Sequence, residues 1–135
     1  MKVVLISPPT PNPASSYFGP PMGLALLGSL LKERGHGVRG YDWDRSTLAA
    51  MLDDVPRMLA EDAPDLVGIS ILSITRGPGF ALARKIRALA PELPMVIGGP
   101  YATLAPEEML LRTPADYVCI GDGEETLPEL VEALV

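Results

Sequence analysis

The sequence predicts an α/β domain in which a five-stranded, doubly wound parallel sheet carries helices on both faces. Two observations lead there. Five short apolar runs punctuate the chain, and four of them are continuously apolar and rich in Val and Ile, the mark of strands covered on both sides. Between the runs lie apolar stripes at helical spacing, so that strand and helix alternate five times. With 135 residues the chain is one ordinary domain, large enough for a core of its own.

The first strand is expected over Val3–Ser7. Leu24, Leu27 and Leu31 then recur at helical spacing, with Pro21 before them and Gly35 after the charged end Lys32-Glu33-Arg34, the usual start and stop of a helix. The second strand, Val38–Tyr41, is short and broken by Arg39 and Gly40, which suits a sheet edge. Leu48, Met51, Leu52, Val55 and Leu59 form the second helical stripe, capped by Ser46 or Thr47, and Pro56 is expected to kink or split it. The third strand covers Leu66–Leu72, followed by a helix with Leu82, Ile86 and Leu89 that Pro78 opens. The fourth strand is Met95–Ile97. A short helix begins at Pro106, Glu107 and Glu108, where acidic groups complement the helix dipole. The last strand is Tyr117–Ile120, and Leu127, Leu130, Val131 and Leu134 line the closing helix, with Pro128 in its first turn.

Right-handed crossovers joining these elements make a Rossmann-like sheet with the flavodoxin-like order 2-1-3-4-5 expected, other doubly wound orders being compatible with the same alternation. No linker or repeat divides residues 1–135. The net charge of −6 argues against a nucleic-acid partner, whose phosphates call for Lys and Arg. A single cysteine, Cys119, excludes a disulfide framework and a thiolate metal site, and its apolar neighbours mark it as a core residue. The N-terminal apolar stretch is too short for a signal peptide, and no run approaches the ~20 apolar residues of a membrane span, so a cytoplasmic protein without a membrane partner is expected.

Ligands of open α/β sheets bind outside the carboxyl ends of the strands, at the switch point. The loop after the first strand, Pro8 to Pro21, is long, and long loops in small domains are usually functional. It carries no dinucleotide fingerprint, no phosphate loop and no acidic pair of a phospho-receiver. After the third strand come Ser70 and Ser73, whose hydroxyls suit a ligand or simply the nearby backbone. Gly98-Gly99 after the fourth strand marks a tight turn or a close approach to the backbone, and Gly121-Asp122-Gly123-Glu124 after the fifth marks a turn and cap or a ligand rim. All fall on one edge of the sheet. The only histidine, His36, precedes the second strand and so belongs to the opposite edge, which leaves no nucleophile–base–acid set for a small hydrolase.

Five stretches resemble a known family: VLISPP (Val4–Pro9), GPPMGLALLGSLLKERGHGVRGYD (Gly19–Asp42), PDLVGIS (Pro64–Ser70), VIGGPYATLAPEE (Val96–Glu108) and DYVCIGDGEETLPEL (Asp116–Leu130). In this order they resemble the N-terminal cobalamin-binding domain of cobalamin-dependent radical S-adenosylmethionine enzymes. Ser70-Ile71-Leu72 matches the S-x-L element of cobalamin modules, and Gly98-Gly99 matches their glycine pair. The resemblance implies that Ser70, Leu72, Ser73 and Thr75 form one wall of a slot for the dimethylbenzimidazole tail. Gly98, Gly99 and Thr103 form the other wall, with Pro100 and Tyr101 among the contacts. Pro8, Pro9 and Tyr17, and Gly121, Asp122, Gly123 and Glu124, border the ring and tail.

The sequence departs from that pattern in two places. The first loop lacks the D-x-H-x-x-G motif whose histidine ligates cobalt in many cobalamin modules, so the resemblance implies no histidine cobalt ligand from this chain and no metal ligand within it. Tyr101 and Asp122 stand where relatives often carry histidine and glutamate. One cysteine cannot supply the C-x-x-x-C-x-x-C triplet of the radical chemistry. The expectation is a module of a longer radical S-adenosylmethionine methyltransferase or cyclase, whose iron–sulfur cluster and S-adenosylmethionine belong to a catalytic domain in cis or in trans. The alternative is an interaction or docking domain of the same fold that binds no cobalamin.

Overall fold

The computed structural model describes residues 1–11 and 20–135. Its strands are β1 (Lys2–Ser7), β2 (Gly37–Asp42), β3 (Leu66–Ser70), β4 (Met95–Gly98) and β5 (Tyr117–Val118). They form one sheet in the order β2-β1-β3-β4-β5, every pair parallel. The order matches the sequence expectation, with the polar β2 at one edge and the two-residue β5 at the other.

Side chains of a strand alternate between faces, and each face here has its own core. Val4, Ile6, Val67, Ile69, Met95 and Ile97 face one layer of helices: α2 (Leu48–Asp62), α3 (Arg76–Leu89), α4 (Pro100–Leu104) and α5 (Pro106–Arg112). Val3, Leu5, Leu66 and Val96 face the other, made by α1 (Met22–Glu33) and α6 (Thr126–Leu134). The first core is the larger; Met51, Met58, Leu82, Ile86 and Met109 are all fully buried in it.

Pro56 neither splits nor ends its helix. α2 runs without a break from Leu48 to Asp62, with Thr47 as its N-cap accepting from the Ala50 amide at 3.1 Å. The reason is position: Pro56 lies on the exposed face, so the carbonyl it leaves without a donor opens to solvent. Arg57, beside it, bonds Asp54 and Glu61 at 2.7 Å each along that outer face. A second difference lies after β4, where the expected loop is the short helix α4, begun by Pro100 at its first position. The third helix starts at Arg76, so Pro78 falls within its first turn.

Candidate functional site

The parallel register aligns residues of neighbouring strands in rows. On the face toward α1 and α6, Leu5, Gly68 and Val96 form one row. Ser70 and Gly98 form the next, two residues nearer the carboxyl ends and about 6.6 Å away at strand spacing. Gly68 and Gly98 present no side chain; Leu5 and Val96 close over Gly68, and the sheet surface dips at Gly98 into a trough. A Cβ on Gly68 would lie 2.8 Å from Leu5 Cδ2, and one on Gly98 would meet Cys119 Cβ at 3.5 Å.

Above the trough stand Gly23, Leu24 and Leu27 of α1 and Leu127 of α6. The gap between them and the sheet is a cavity of about 410 Å³, within the usual size of a small-molecule site. Its mouth is at the carboxyl edge, bordered by Gly99, Pro100, Thr103 and the turn Gly121–Gly123. At its inner end Leu31 and Val131 continue the same apolar cluster, both fully buried.

The walls of the mouth are locked by backbone geometry. Gly99 has φ +97°, and a Cβ there would sit 2.8 Å from the Ile71 amide nitrogen and 2.8 Å from Ser70 Oγ, so only glycine fits. The two wall segments are stitched together by Ile71 N–H to the Gly98 carbonyl at 2.9 Å and Tyr101 N–H to the Ile71 carbonyl at 3.0 Å. The Gly121 amide donates to Thr103 Oγ1 at 2.9 Å, which ties the β5–α6 turn to α4. Gly123, at φ +82°, brings the turn to within 3.3 Å of Cys119 Sγ as measured from an added Cβ. Burial pushes the Cys119 thiol above its ordinary pKa, and the Thr126 side chain opposes that shift. Cys119 is thus both the core residue expected and part of the cavity wall.

Of the residues singled out from the sequence, Ser70, Gly98, Gly99, Pro100, Thr103, Gly121, Asp122 and Gly123 meet around this cavity. Others lie elsewhere. Thr75 is buried, and its hydroxyl accepts from the Leu72 amide at 2.9 Å, closing a 3₁₀ turn from Ser73 to Thr75. Ser73 and Glu124 are exposed. Tyr101 turns to the opposite face, packs on the larger core and donates to Glu108 Oε2 at 2.7 Å; Arg76 donates to its hydroxyl at 3.1 Å. That Tyr101 hydrogen bond is the main cause holding the Glu108 carboxyl below the usual range. Pro8 and Pro9 are buried, Pro8 reaching toward Gly79 of α3, and Tyr17 lies outside the described residues. His36 lies at the amino-terminal edge, its Nδ1 3.3 Å from the Met1 amine and remote from the cavity mouth.

Sequence reasoning missed Leu5, Leu24, Leu27, Gly68, Val96 and Leu127 as lining residues. Gly68 carried a signal, because a glycine inside a buried strand marks a close approach. The leucines carried none, since a stripe that packs on a core and a stripe that roofs a cavity have the same period. Two further polar atoms on the carboxyl side, Thr10 Oγ1 after β1 and Asp44 Oδ2 after β2, are buried without a hydrogen-bond partner among the described residues. Burial first, then the Asp42 carboxylate, raises the Asp44 pKa. Among the described residues no cluster of His, Cys, Asp and Glu is placed to hold a metal ion, and no helix is long and apolar enough to cross a membrane.

A five-stranded 2-1-3-4-5 sheet with an apolar cleft at its carboxyl edge defines a ligand-binding α/β module. The chain belongs to the B12 binding domain family, whose model matches residues 14–131. It is 33% identical over 138 residues to an uncharacterised methyltransferase of Pyrococcus horikoshii, covering 99% of this chain and 29% of that protein. It superposes on TsrM from Kitasatospora setae, a radical S-adenosylmethionine methyltransferase solved with tryptophan substrate and a SAM analogue. The TM-score is 0.82 at 25% identity, over 98% of this chain and 25% of that one. It shares its fold with OxsB, a cobalamin-dependent S-adenosylmethionine radical enzyme solved with aqua-cobalamin and S-adenosylmethionine, at TM-score 0.76 and 20% identity, over 98% of this chain and 18% of that one. The chain therefore spans under a third of the length of each of these relatives. It is a B12-binding domain similar to the cobalamin modules of radical S-adenosylmethionine methyltransferases.

Proposed function

We propose that the cavity between the sheet, α1 and α6 receives the nucleotide tail of cobalamin, and that the corrin ring lies across the carboxyl ends of the strands. The observation that carries this reading is the trough at Gly98, between the sheet and the leucines of α1 and α6, bordered at the carboxyl edge by Gly99, Thr103 and the Gly121–Gly123 turn. Ser70 and Thr103 stand at the mouth as hydroxyl partners. Thr103 Oγ1 already accepts from Gly121, so its own proton is left to donate. Gly98, Gly99, Gly121, Asp122 and Gly123 border the tail, with the exposed Glu124 further out on the rim. Thr10 and Asp44, with polar atoms beside β1 and β2 that have no partner among the described residues, suit the amide groups around a corrin.

In this reading the domain is the N-terminal part of a longer cytoplasmic enzyme and partners a radical S-adenosylmethionine domain that holds the iron–sulfur cluster. Bound cobalamin supplies a methyl carrier to that partner's reaction. This chain's residues bind and orient the cofactor. Because His36 sits at the far edge, no histidine of this chain ligates cobalt.

The test is a titration of the 135-residue chain with hydroxocobalamin, followed by gel filtration and a visible spectrum of the protein peak. A stoichiometric coloured peak without the signature of nitrogen-ligated cobalt is expected. A colourless peak overturns the reading in favour of a docking domain. A spectrum of nitrogen-ligated cobalt leaves binding intact and overturns the ligation.

A further inference from the structure

The inner part of the cavity has a chemistry that the fold alone does not dictate. Its floor is Leu5 and Val96, one row deeper than Ser70 and Gly98; over it stand Leu24, Leu27 and Leu127, with the Cys119 thiol in the wall. The hydroxyls of Ser70 and Thr103 lie at the other end, in the row of Gly98 or beyond it toward the carboxyl edge. The oxygen-bearing side chains are thus confined to the mouth, and the floor below them offers no side-chain nitrogen or oxygen.

We propose that the site selects its cobamide by the lower base, taking a benzimidazole with an apolar outer ring in preference to a purine. The inference rests on the cavity being the nucleotide slot. The sugar–phosphate tether enters last, so the ring of the base farthest from the sugar reaches the bottom. In dimethylbenzimidazole that ring is a methylated carbocycle, and its free ring nitrogen stays near the tether, within the polar part of the slot. One hydroxyl donor there satisfies it. A purine places ring nitrogens and an exocyclic amine on the far ring, against aliphatic side chains and a thiol that offer no nitrogen or oxygen partner. Buried polar groups without partners carry the full cost of their desolvation, which is why a site tuned to one polarity rejects the other.

A competing effect acts in the opposite direction, and that sharpens the test. A purine is the weaker base toward cobalt, so a site that merely holds the base away from cobalt ranks the purine cofactor as the tighter binder. A preference for benzimidazole therefore reports contacts with the slot.

The experiment is equilibrium dialysis of the 135-residue chain against hydroxocobalamin, the corresponding adeninyl cobamide, and cobinamide, which lacks the nucleotide; each is followed by its own visible absorption. The adeninyl cofactor is expected to bind at least about tenfold more weakly than hydroxocobalamin, equivalent to about 1.4 kcal/mol, with cobinamide weaker than hydroxocobalamin as well. Equal or tighter binding of the adeninyl cofactor, with cobinamide still weak, overturns the selectivity and leaves the slot. Cobinamide binding as tightly as hydroxocobalamin overturns the slot and the selectivity together. Failure of all three overturns the proposed function itself.

Discussion

Gly98 and Gly99 are adjacent in sequence and differ in what they exclude. At Gly99 a Cβ meets backbone, at 2.8 Å from the Ile71 nitrogen and 2.9 Å from the Ile71 oxygen, in a left-handed conformation. Neither atom can move without breaking the bonds that join β3 to β4 and α4. Gly99→Ala is therefore expected to destabilise the fold by about 2 kcal/mol or more, read as a lower urea midpoint at unchanged m-value. At Gly98 the added methyl meets Cys119 Cβ at 3.5 Å, an ordinary contact, and projects from the sheet into the trough. Gly98→Ala is expected to change stability by less than about 1 kcal/mol yet weaken cobalamin binding at least about tenfold. Equal loss of stability in both variants would remove the distinction between a backbone requirement and a ligand requirement. The pair was legible from the sequence as a place of close approach; which glycine serves the chain and which serves the cavity was not, because that depends on φ and on what lies across from each residue.

At the scale of elements, the wall opposite the cavity is fastened by side chains from three helices. Arg76 of α3, Tyr101 of α4 and Glu108 of α5 form a chain of hydrogen bonds at 3.1 and 2.7 Å, and Arg112 bonds Glu108 at 3.2 Å. Glu108 has its pKa lowered, first by the Tyr101 hydroxyl. A carboxyl depressed in the folded state stabilises the fold above its unfolded pKa, about 4.3, and that contribution is lost as pH falls through the lower folded value. Tyr101→Phe should therefore unfold at lower urea than the parent at pH 7, and the gap should close as pH falls below about 4. A gap that stays constant with pH would assign the effect to packing instead. None of this network was legible from the sequence. The resemblance places Tyr101 among the cofactor contacts, whereas the turn into α4 packs it on the larger core. The strands, in contrast, were legible to within two residues at each end, since a run apolar on both sides has few other uses. Pro56 misled because proline reports a missing donor but not whether the affected carbonyl faces core or water.

The whole molecule divides its labour between its two faces. The larger core, with α2, α3, α4 and α5, is filled; the smaller one, under α1 and α6, is open at one end around the cavity. Alternation of strand and helix foresaw a doubly wound parallel sheet and made 2-1-3-4-5 the expected order, with other doubly wound orders left open. It could not foresee which face would stay open, since the leucines of α1 read the same whether they meet a sheet or a ligand. An open apolar cavity leaves its lining without part of its contacts, so a ligand that fills it should stabilise the entire cooperative unit. Binding only the folded state at a free concentration one hundred times Kd adds about 2.7 kcal/mol. For a domain of this length that corresponds to a rise in Tm of roughly 10 °C. Thermal unfolding of the chain in saturating hydroxocobalamin should show that rise, and cobinamide, which leaves the slot empty, should give a clearly smaller one at the same concentration. Equal shifts from the two would mean that the ring alone carries the binding and that the gap under α1 and α6 takes no part in it.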